Sequence, residues 1–222
     1  MIYLNVLIRY FTPVLSLVIA YLLGSIPTSY LIGRFFFNTD IRSSGSGNTG
    51  ATNALRTFGA KTGVIVLIID ILKGVVAVMI ARMLMISAHS MFSFNLVESL
   101  SGLVVILGHV FSVFLKFKGG KGVATAAGVF FVLSPLPLVF CLVLFAYVVY
   151  TSKYVSLGSI LAAVSFMLID LVSQIISRFP NIPRLMLIVV IVLLILIRHR
   201  SNLKRLLEGR ENKVVFRKKE KY

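Results

Sequence analysis

The sequence predicts an all-α protein, a single bundle of about seven membrane-spanning helices occupying residues 1–222. The chain is 58% hydrophobic and its mean hydropathy is +0.98, far above the values of a soluble domain. Its apolar residues fall in long blocks, and its net charge of +16 lies between and after those blocks. This charge pattern is typical of the cytoplasmic flanks of membrane helices, so we expect no nucleic-acid partner.

The apolar blocks give the spans in order. They run from between Ile2 and Thr12 to about Gly33, and then over 63–81, 100–115, 123–133, 138–150, 157–177 and 185–197. The second is long enough to cross about 30 Å of hydrocarbon, whereas the third must tilt or lie partly sunk. Within the first span, Gly24-Ser25-Ile26-Pro27 predicts a kink and a close helix contact.

Two proline-containing segments predict turns between the later spans. Ser134-Pro135-Leu136-Pro137 should not continue a helix, which favours a hairpin of two short spans; a single broken span is the alternative. The segment Pro180-Asn181-Ile182-Pro183 should join the last two spans. The single cysteine, Cys141, excludes an internal disulfide, and the three histidines stand apart from other ligand types, so we expect no metal and no cofactor.

Lysine and arginine set the predicted orientation. The segment from Arg198 to Tyr222 is strongly basic, whereas the connection 82–98 carries one positive residue, which puts the C-terminus in the cytoplasm. Counting seven spans back places the N-terminus outside. The polar segments 34–61, 116–122 and 151–159 then share the cytoplasmic face with 198–211. We read the basic residues 217–221 as attracted to anionic lipid.

The first polar segment contains the run Asp40 to Arg56, which is rich in groups that hold phosphate. Its glycines let backbone N–H groups converge on an anion, Ser46, Thr49 and Thr52 add hydroxyl donors, and Arg42 and Arg56 can each bind two phosphate oxygens. The second segment places Gly119-Gly120-Lys121-Gly122 before an apolar block, the arrangement of an anion site at a helix N-terminus. It lacks the Walker A spacing, and a flexible basic loop is the alternative.

Further polar residues lie at or within the later spans. If the last span continues as a helix, His199, Asn202 and Arg205 share one face, close to Ser156 if the segments meet; an ordinary solvated helix is the alternative. Asp70 and Lys73 lie one turn apart in an apolar span, where either charge alone is costly, so we expect a supporting ion pair. Asp170 has no obvious partner in the sequence.

The order and spacing of these motifs resemble the bacterial acyl-phosphate:glycerol-3-phosphate acyltransferases over nearly the whole chain. The resemblance rests on Gly24-Ser25-Ile26-Pro27, the 42–56 loop, Asp70-x-x-Lys73-Gly74, Gly108-His109, Phe117 to Thr125, Ser156-Leu157 and His199-Arg200-x-Asn202. It implies seven spans, cytoplasmic motif loops, and synthesis of lysophosphatidic acid from acyl phosphate and glycerol 3-phosphate in the cytoplasmic (inner) membrane. It also implies a monomer whose non-substrate partner is membrane lipid.

The resemblance and the residue chemistry together give the predicted site. The residues expected at the reaction centre are Ser46, Arg56, Lys121, His199 and Asn202. The residues expected to bind substrate phosphate are Arg42, Gly47, Asn48, Thr52, Asn53, Lys118, Gly119, Gly120, Gly122, Ser156 and Arg205. Asp70, Lys73 and His109 are expected to support them. The base is left open among His199, His109 and the substrate's own phosphate.

We expect Ser46, Arg56, Asn202 and either Lys118 or Lys121 to hold glycerol 3-phosphate. Asn48, Thr52 and the amides of 119–122 would then hold the acyl-phosphate head, and the acyl tail would lie in a groove open to the bilayer. A transporter of small phosphate esters or anions is the alternative, but such proteins usually bind near the midplane between repeats, and no repeat is visible here. A lipid-binding scaffold would explain the basic tail without explaining the glycine-rich loops.

Overall fold

The structure is a computed structural model that describes residues 2–88 and 93–214. The basic residues 217–221, predicted to contact anionic lipid, lie outside the described residues. Within these ranges every regular element is helical. The helices are α1 (Ile2–Ser25), α2 (Thr28–Phe37), α3 (Ala51–Phe58), α4 (Ala60–Ala88), α5 (Phe94–Val110), α6 (Val123–Leu133), α7 (Pro135–Ser152), α8 (Val155–Ser177), α9 (Ile182–Arg198) and α10 (Arg200–Leu207).

Four candidate spans are each long and apolar enough to cross a membrane: α4, α5 with its continuation to Leu115, α7 and α8. Two more spans arise if each bent pair counts as one: α1 with α2, bent by 42°, and α9 with α10, bent by 55°. Helix α6 has 11 residues, about 16 Å, which is shorter than the hydrocarbon layer. The all-helical membrane bundle is therefore confirmed, whereas a total of seven spans stays a prediction.

The helices pack as two groups joined by α9. Helix α4 packs against α1, α5 and α6, while α7 packs against α8. Helix α9 contacts both α5 and α8, and α6 and α7 have few contacts with each other although one residue joins them. A cleft therefore separates α4 and α6 on one side from α7 and α8 on the other, and this cleft holds the candidate site.

Close backbone contacts bring the elements of the first group together. A Cβ added to Gly74 of α4 would lie 2.3 Å from the Thr125 carbonyl oxygen, and one added to Gly128 of α6 would lie 2.0 Å from the Ile71 carbonyl oxygen. Likewise, a Cβ on Gly24 would lie 2.0 Å from the Val105 carbonyl oxygen. Only glycine permits such approaches. The predicted break and close contact near Gly24-Ser25-Ile26-Pro27 are thus confirmed.

The predicted helix breaks at the two proline-containing segments are confirmed, but each break is shorter than its segment. Only Ser134 separates α6 from α7, which begins at Pro135, and residues 178–181 join α8 to α9, which begins at Ile182. Proline fits there because the first N–H groups of a helix have no partner within the helix. The structure differs from the prediction at two further points. Helix α2 continues past the predicted end near Gly33 to Phe37, and the polar segment that follows contains helix α3.

Buried ion pairs stabilise the ends of the helices farthest from the polar segments 34–61 and 116–122. Asp170 of α8 accepts hydrogen bonds from Ser134 and Gln174, and it lies 3.5 Å from Nε of Arg184. Arg184 also donates to the Leu133 carbonyl at 3.0 Å, where α6 ends. Asp170, which has no obvious partner in the sequence, therefore joins α8 to Ser134 at the α6–α7 junction and to Arg184 of α9.

Candidate active site

Four polar segments meet at one cavity of about 280 Å³ between the two helix groups. They are the loop before α3, the glycine-rich loop before α6, the start of α8 and the region around α10. The polar residues that these segments place in the cavity wall are Ser46, Asn48, Thr52, Asn53, Arg56, Lys121, Ser156, Ser159, His199, Asn202 and Glu211, and Asp70 of α4 and His109 of α5 line it as well. The predicted convergence of separated segments on one site is therefore confirmed.

Asn53 lines the cavity and also organises the first loop. Its side-chain carbonyl accepts a hydrogen bond from the Ser46 amide at 2.8 Å. Its side-chain amide donates to the carbonyls of Ile41 and Ser44, at 3.2 and 3.0 Å. Because both ends of this buried amide are engaged, Asn53 fixes the turn that carries Ser46 to the cavity. Its role in binding phosphate stays a prediction.

Arg42 points away from the cavity. Its guanidinium pairs with Asp40 at 2.7 Å and lies over the Tyr30 ring, 4.9 Å from the centroid. The hydrogen bonds from Arg42 lower the pKa of Asp40 to about 2, so the pair is charged at neutral pH. Gly47 is also exposed and outside the cavity lining. Neither Arg42 nor Gly47 contacts the cavity, because the turn built on Asn53 directs Ser46, Asn48 and Thr52 there instead.

The glycines of the second loop serve packing more than binding. The amides of Gly119 and Gly120 donate to the carbonyls of Val110 and His109, each at 3.0 Å, so they are not available to a phosphate. A Cβ on Gly120 would lie 2.1 Å from Nε2 of His109. His109 thus braces this loop, as expected. Lys118 is exposed outside the cavity, and it is Lys121 and Gly122 that line it.

Lys121, Asn202 and Glu211 form the polar centre of the site. The ammonium of Lys121 donates to the side-chain carbonyl of Asn202, whose amide donates to Glu211 at 2.7 Å. Burial lowers the pKa of Lys121 to about 8; Glu211 opposes this shift, and the nearby Arg205, Arg198 and Arg56 add to it. Lys121 is therefore mostly protonated at neutral pH and close to losing its proton.

Glu211 belongs to a C-terminal strap, residues 208–214, that the sequence did not identify as part of the site. The left-handed turn at Gly209 (φ +67) reverses the chain after α10. The Glu211 carboxylate then accepts hydrogen bonds from Ser156 at 3.0 Å and from Arg205 at 2.8 Å, as well as from Asn202. Burial alone would raise the pKa of Glu211, but these donors outweigh it and hold that pKa below its ordinary value.

The strap also fixes Arg56 and the start of α8. Arg56 donates to the Asn212 carbonyl at 2.9 Å, and the Val214 amide donates to the Lys153 carbonyl at 2.9 Å. Arg205, predicted to bind phosphate, instead pairs with Glu211 and is absent from the cavity lining. The one sequence signal for a role of Glu211 in the site was its acidic side chain in a strongly basic segment. That signal did not predict that the strap folds back onto the site.

His199 presents one defined nitrogen to the cavity. It lies at the bend between α9 and α10, is 3% exposed, and its Nδ1 lies 2.8 Å from the Ile195 carbonyl oxygen. A carbonyl only accepts, so Nδ1 must carry the proton, and the lone pair of the neutral ring is on Nε2. This residue lines the cavity and can accept a proton from a bound hydroxyl.

Asp70 and Lys73 form the expected buried ion pair, with Nζ and Oδ1 2.7 Å apart. Thr28 donates to the same carboxylate oxygen at 3.1 Å, and Nδ1 of His109 lies 3.7 Å from it. Lys73 also donates to the Ile26 carbonyl at the break between α1 and α2. The pair therefore holds α1, α2, α4 and α5 together beside the cavity.

The arrangement can bind anions and orient a nucleophile without a metal. Arg56 and Lys121 supply positive charge, Ser46, Thr52 and Ser156 supply hydroxyls, and an apolar extension of the cavity continues between α6 and α8. Within the described residues, no group of three histidine, cysteine, aspartate or glutamate side chains could hold a metal ion. The fold and site thus define a multi-pass membrane protein with a cationic, amphiphilic pocket at the helix ends.

Comparison with known proteins assigns this class to a family. The family model described as "Glycerol-3-phosphate acyltransferase" matches residues 14–209. Glycerol-3-phosphate acyltransferase 2 of Bacillus anthracis is 45% identical over 91% of this chain and 99% of its own length. A glycerol-3-phosphate acyltransferase of Trichlorobacter lovleyi is 46% identical over 87% of this chain and 93% of its own length. The chain belongs to the glycerol-3-phosphate acyltransferase family.

Two solved structures have the same fold. Both are crystal structures of PlsY (YgiH), an integral membrane glycerol 3-phosphate acyltransferase. The glycerol 3-phosphate form is 39% identical, with a TM-score of 0.80 over 91% of this chain and 96% of that one. The lysophosphatidic acid form is 38% identical, with a TM-score of 0.77 over 91% and 95%. These neighbours support a multi-pass membrane acyltransferase and confirm the resemblance seen in the motifs.

Proposed function

We propose that this protein transfers a fatty acyl group from acyl phosphate to the sn-1 hydroxyl of glycerol 3-phosphate. The products would be lysophosphatidic acid and inorganic phosphate, in the first acylation step of phospholipid synthesis. The observation that carries the proposal is the single cavity in which Arg56, Lys121 and Ser46 meet an apolar extension. Such a cavity suits two phosphorylated reactants, one of which has an alkyl tail.

Glycerol 3-phosphate would bind in the polar half of the cavity. Arg56, Lys121, Asn202 and Ser46 are the groups proposed to hold its phosphate, with Lys121 favoured over Lys118 because only Lys121 lines the cavity. Asn48, Thr52 and the cap of α6 at Gly122 would hold the acyl-phosphate head. Cationic groups are needed because two phosphate anions at close range repel each other.

The reaction needs no covalent intermediate on the protein. The sn-1 hydroxyl oxygen would attack the acyl carbon and form the ester bond, while the bond from that carbon to the bridging phosphate oxygen breaks and phosphate leaves with the electron pair. The hydroxyl proton would pass to Nε2 of His199 or to the departing phosphate. The protein's contribution is to hold the reactants together and to stabilise the developing oxyanion.

We further propose that the protein works as a monomer in the bacterial cytoplasmic (inner) membrane, with its site facing the cytoplasm. The basic residues of α10 and the following segment support this orientation, because they lie at the same end of the bundle as the cavity. Orientation is testable by proteolysis after residue 207 in right-side-out and inverted vesicles. Cleavage confined to inverted vesicles is expected.

The decisive assay supplies purified protein with palmitoyl phosphate and glycerol 3-phosphate in the presence of a metal chelator. Equal amounts of phosphate and lysophosphatidate should appear, each dependent on both substrates. A parallel reaction receives palmitoyl-coenzyme A in place of the acyl phosphate and should give neither product. Product formation that requires the coenzyme-A thioester, or no product with either donor, would refute the assignment of the donor.

The activity should fall at alkaline pH because Lys121 loses its proton. Since burial lowers the pKa of Lys121 to about 8, its positive charge is present below that pH and is lost as pH rises through it. We expect kcat/KM for glycerol 3-phosphate to be about tenfold lower at pH 9 than at pH 7. The substrate phosphate is a dianion throughout this window, because its second pKa is about 6.

Lys121→Arg is the control for this pH dependence, because arginine keeps its charge at every pH in the window. The decline between pH 7 and pH 9 should disappear in this variant, even if its absolute rate is lower than that of the parent. An equally steep decline in Lys121→Arg would show that another group titrates.

A further inference from the structure

We propose that Phe130 and Phe166 set the length of acyl chain that the cavity accommodates. This inference rests on the proposed acyl transfer and adds a chain-length limit to it. The apolar half of the cavity extends from the polar centre toward the opposite ends of α6 and α8. Its walls include Phe130, Leu138, Cys141, Leu142 and Phe166.

An aromatic pair closes the deep end of this apolar half. The rings of Phe130 and Phe166 lie 4.3 Å apart between centroids and are tilted by 33°. Both side chains are buried, at 5% and 4% exposed, and they join α6 to α8 across the cleft. Aromatic contact of this kind stabilises the pair beyond its burial alone, so the floor is a fixed wall.

Behind the pair the interior becomes polar. Asp170 lies one helical turn beyond Phe166 and is fully buried, with hydrogen bonds from Ser134 and Gln174 and with Arg184 3.5 Å away. An alkyl chain that entered this cluster would separate charged groups from their partners in a medium that cannot solvate them. The cavity therefore ends at the aromatic pair, and a longer chain cannot advance through it.

The depth of the apolar half follows from helix geometry. Ser156, in the polar wall, and Phe166 are ten residues apart on α8, which corresponds to about 15 Å at 1.5 Å per residue. An extended alkyl chain advances about 1.25 Å per carbon, because bonds of about 1.5 Å meet near 111°. The space between the polar wall and the aromatic pair therefore holds about 12 carbons.

Carbons beyond that number must turn toward the lipid. The side of the cavity between the two helix groups is lined by Leu67 and Leu142, which are 41% and 46% exposed on the outer surface of the bundle. If a chain bends at the aromatic pair and leaves the cavity there, its remaining carbons contact lipid both before and after the substrate binds. Methylenes up to the pair should thus add to binding through their packing against the cavity wall, and each further one should add little.

The test measures kcat/KM for acyl phosphates of 8 to 18 carbons at fixed detergent concentration. In the parent protein, log kcat/KM should rise with length and level off at about 12 carbons. In Phe166→Ala the levelling point should move to chains about two to four carbons longer, since the space of one ring is opened. Dividing kcat/KM of the variant by kcat/KM of the parent at each chain length removes the effect of substrate partitioning into micelles.

Two further variants make the result specific. Phe131→Ala is the matched control, because Phe131 adjoins Phe130 on α6, is 62% exposed and lies outside the cavity lining. It should leave the levelling point unchanged. Cys141→Phe fills the cavity about one turn above Leu138 and should shorten the accepted chain by several carbons.

The KM for glycerol 3-phosphate reports whether each variant is folded. A levelling point that stays fixed in both Phe166→Ala and Cys141→Phe, with this KM unchanged, overturns the inference. If Phe166→Ala does not fold, Cys141→Phe alone decides. Failure of the parent to use acyl phosphate of any length would instead overturn the proposed function.

Discussion

Replacing Arg56 with alanine is expected to lower kcat/KM for glycerol 3-phosphate by about 10² to 10³, the usual effect of removing one preorganised donor. Arg56 lines the cavity, and its guanidinium is already oriented by its hydrogen bond to the Asn212 carbonyl. Burial lowers the pKa of Arg56, but an arginine stays charged at any physiological pH. No rearrangement is therefore needed when phosphate arrives.

Arg200→Ala is the matched control for this measurement. Arg200 is the first residue of α10 and is exposed outside the cavity, so its loss should change kcat/KM less than about twofold. Arg56→Lys should recover part of the activity, because a lysine restores the charge without the two-pronged geometry of the guanidinium. Similar losses in Arg56→Ala and Arg200→Ala would indicate a general effect of surface charge and would contradict a specific site.

Replacing Glu211 with alanine is expected to destabilise the protein by about 3–5 kcal/mol, as breaking a buried pair usually does. The carboxylate accepts from Ser156, Asn202 and Arg205, so its removal leaves two buried donors and one partly exposed guanidinium without their acceptor. It also removes the anion nearest Lys121, whose charge would then face Arg205 and Arg56 unopposed. We expect a lower melting temperature in detergent together with a raised KM for glycerol 3-phosphate.

Glu208→Gln is the control, since Glu208 lies three residues earlier in the same strap and pairs with Arg210 at the surface. Glu208→Gln should leave both the melting temperature and the KM for glycerol 3-phosphate unchanged.

The pH dependence of stability gives an independent check on Glu211. Because the folded-state pKa of Glu211 lies below its ordinary value of 4.5, its stabilisation is complete above that pH and is lost as pH falls through the folded-state pKa. A parent and a Glu211→Gln variant with equal stability at neutral pH would contradict this role.

The membrane environment of this protein and the chemistry of its site could be read from the amino-acid sequence. Apolar blocks of this length indicate membrane helices, because a helix bonds its backbone within its own segment where lipid offers no partner. The family could also be read from the chain, since the order of Asp70-x-x-Lys73, Gly119-Gly120-Lys121-Gly122 and His199-x-x-Asn202 resembles the one family whose model then matched residues 14–209. Ser46, Arg56, Lys121, His199 and Asn202 were predicted from their chemistry, and all five line the cavity.

Which polar groups face the cavity and which hold the loops depends on how the helices pack, and this could not be read from the sequence. Arg42 carries the same charge as Arg56, but Asp40 holds it at the surface, and the amides of Gly119 and Gly120 are used by Val110 and His109. Glu211 reaches the site because the chain reverses at Gly209. The type of a residue determines whether its side chain can bind phosphate. Its orientation depends on partners that are distant in the sequence and become neighbours only when the helices pack.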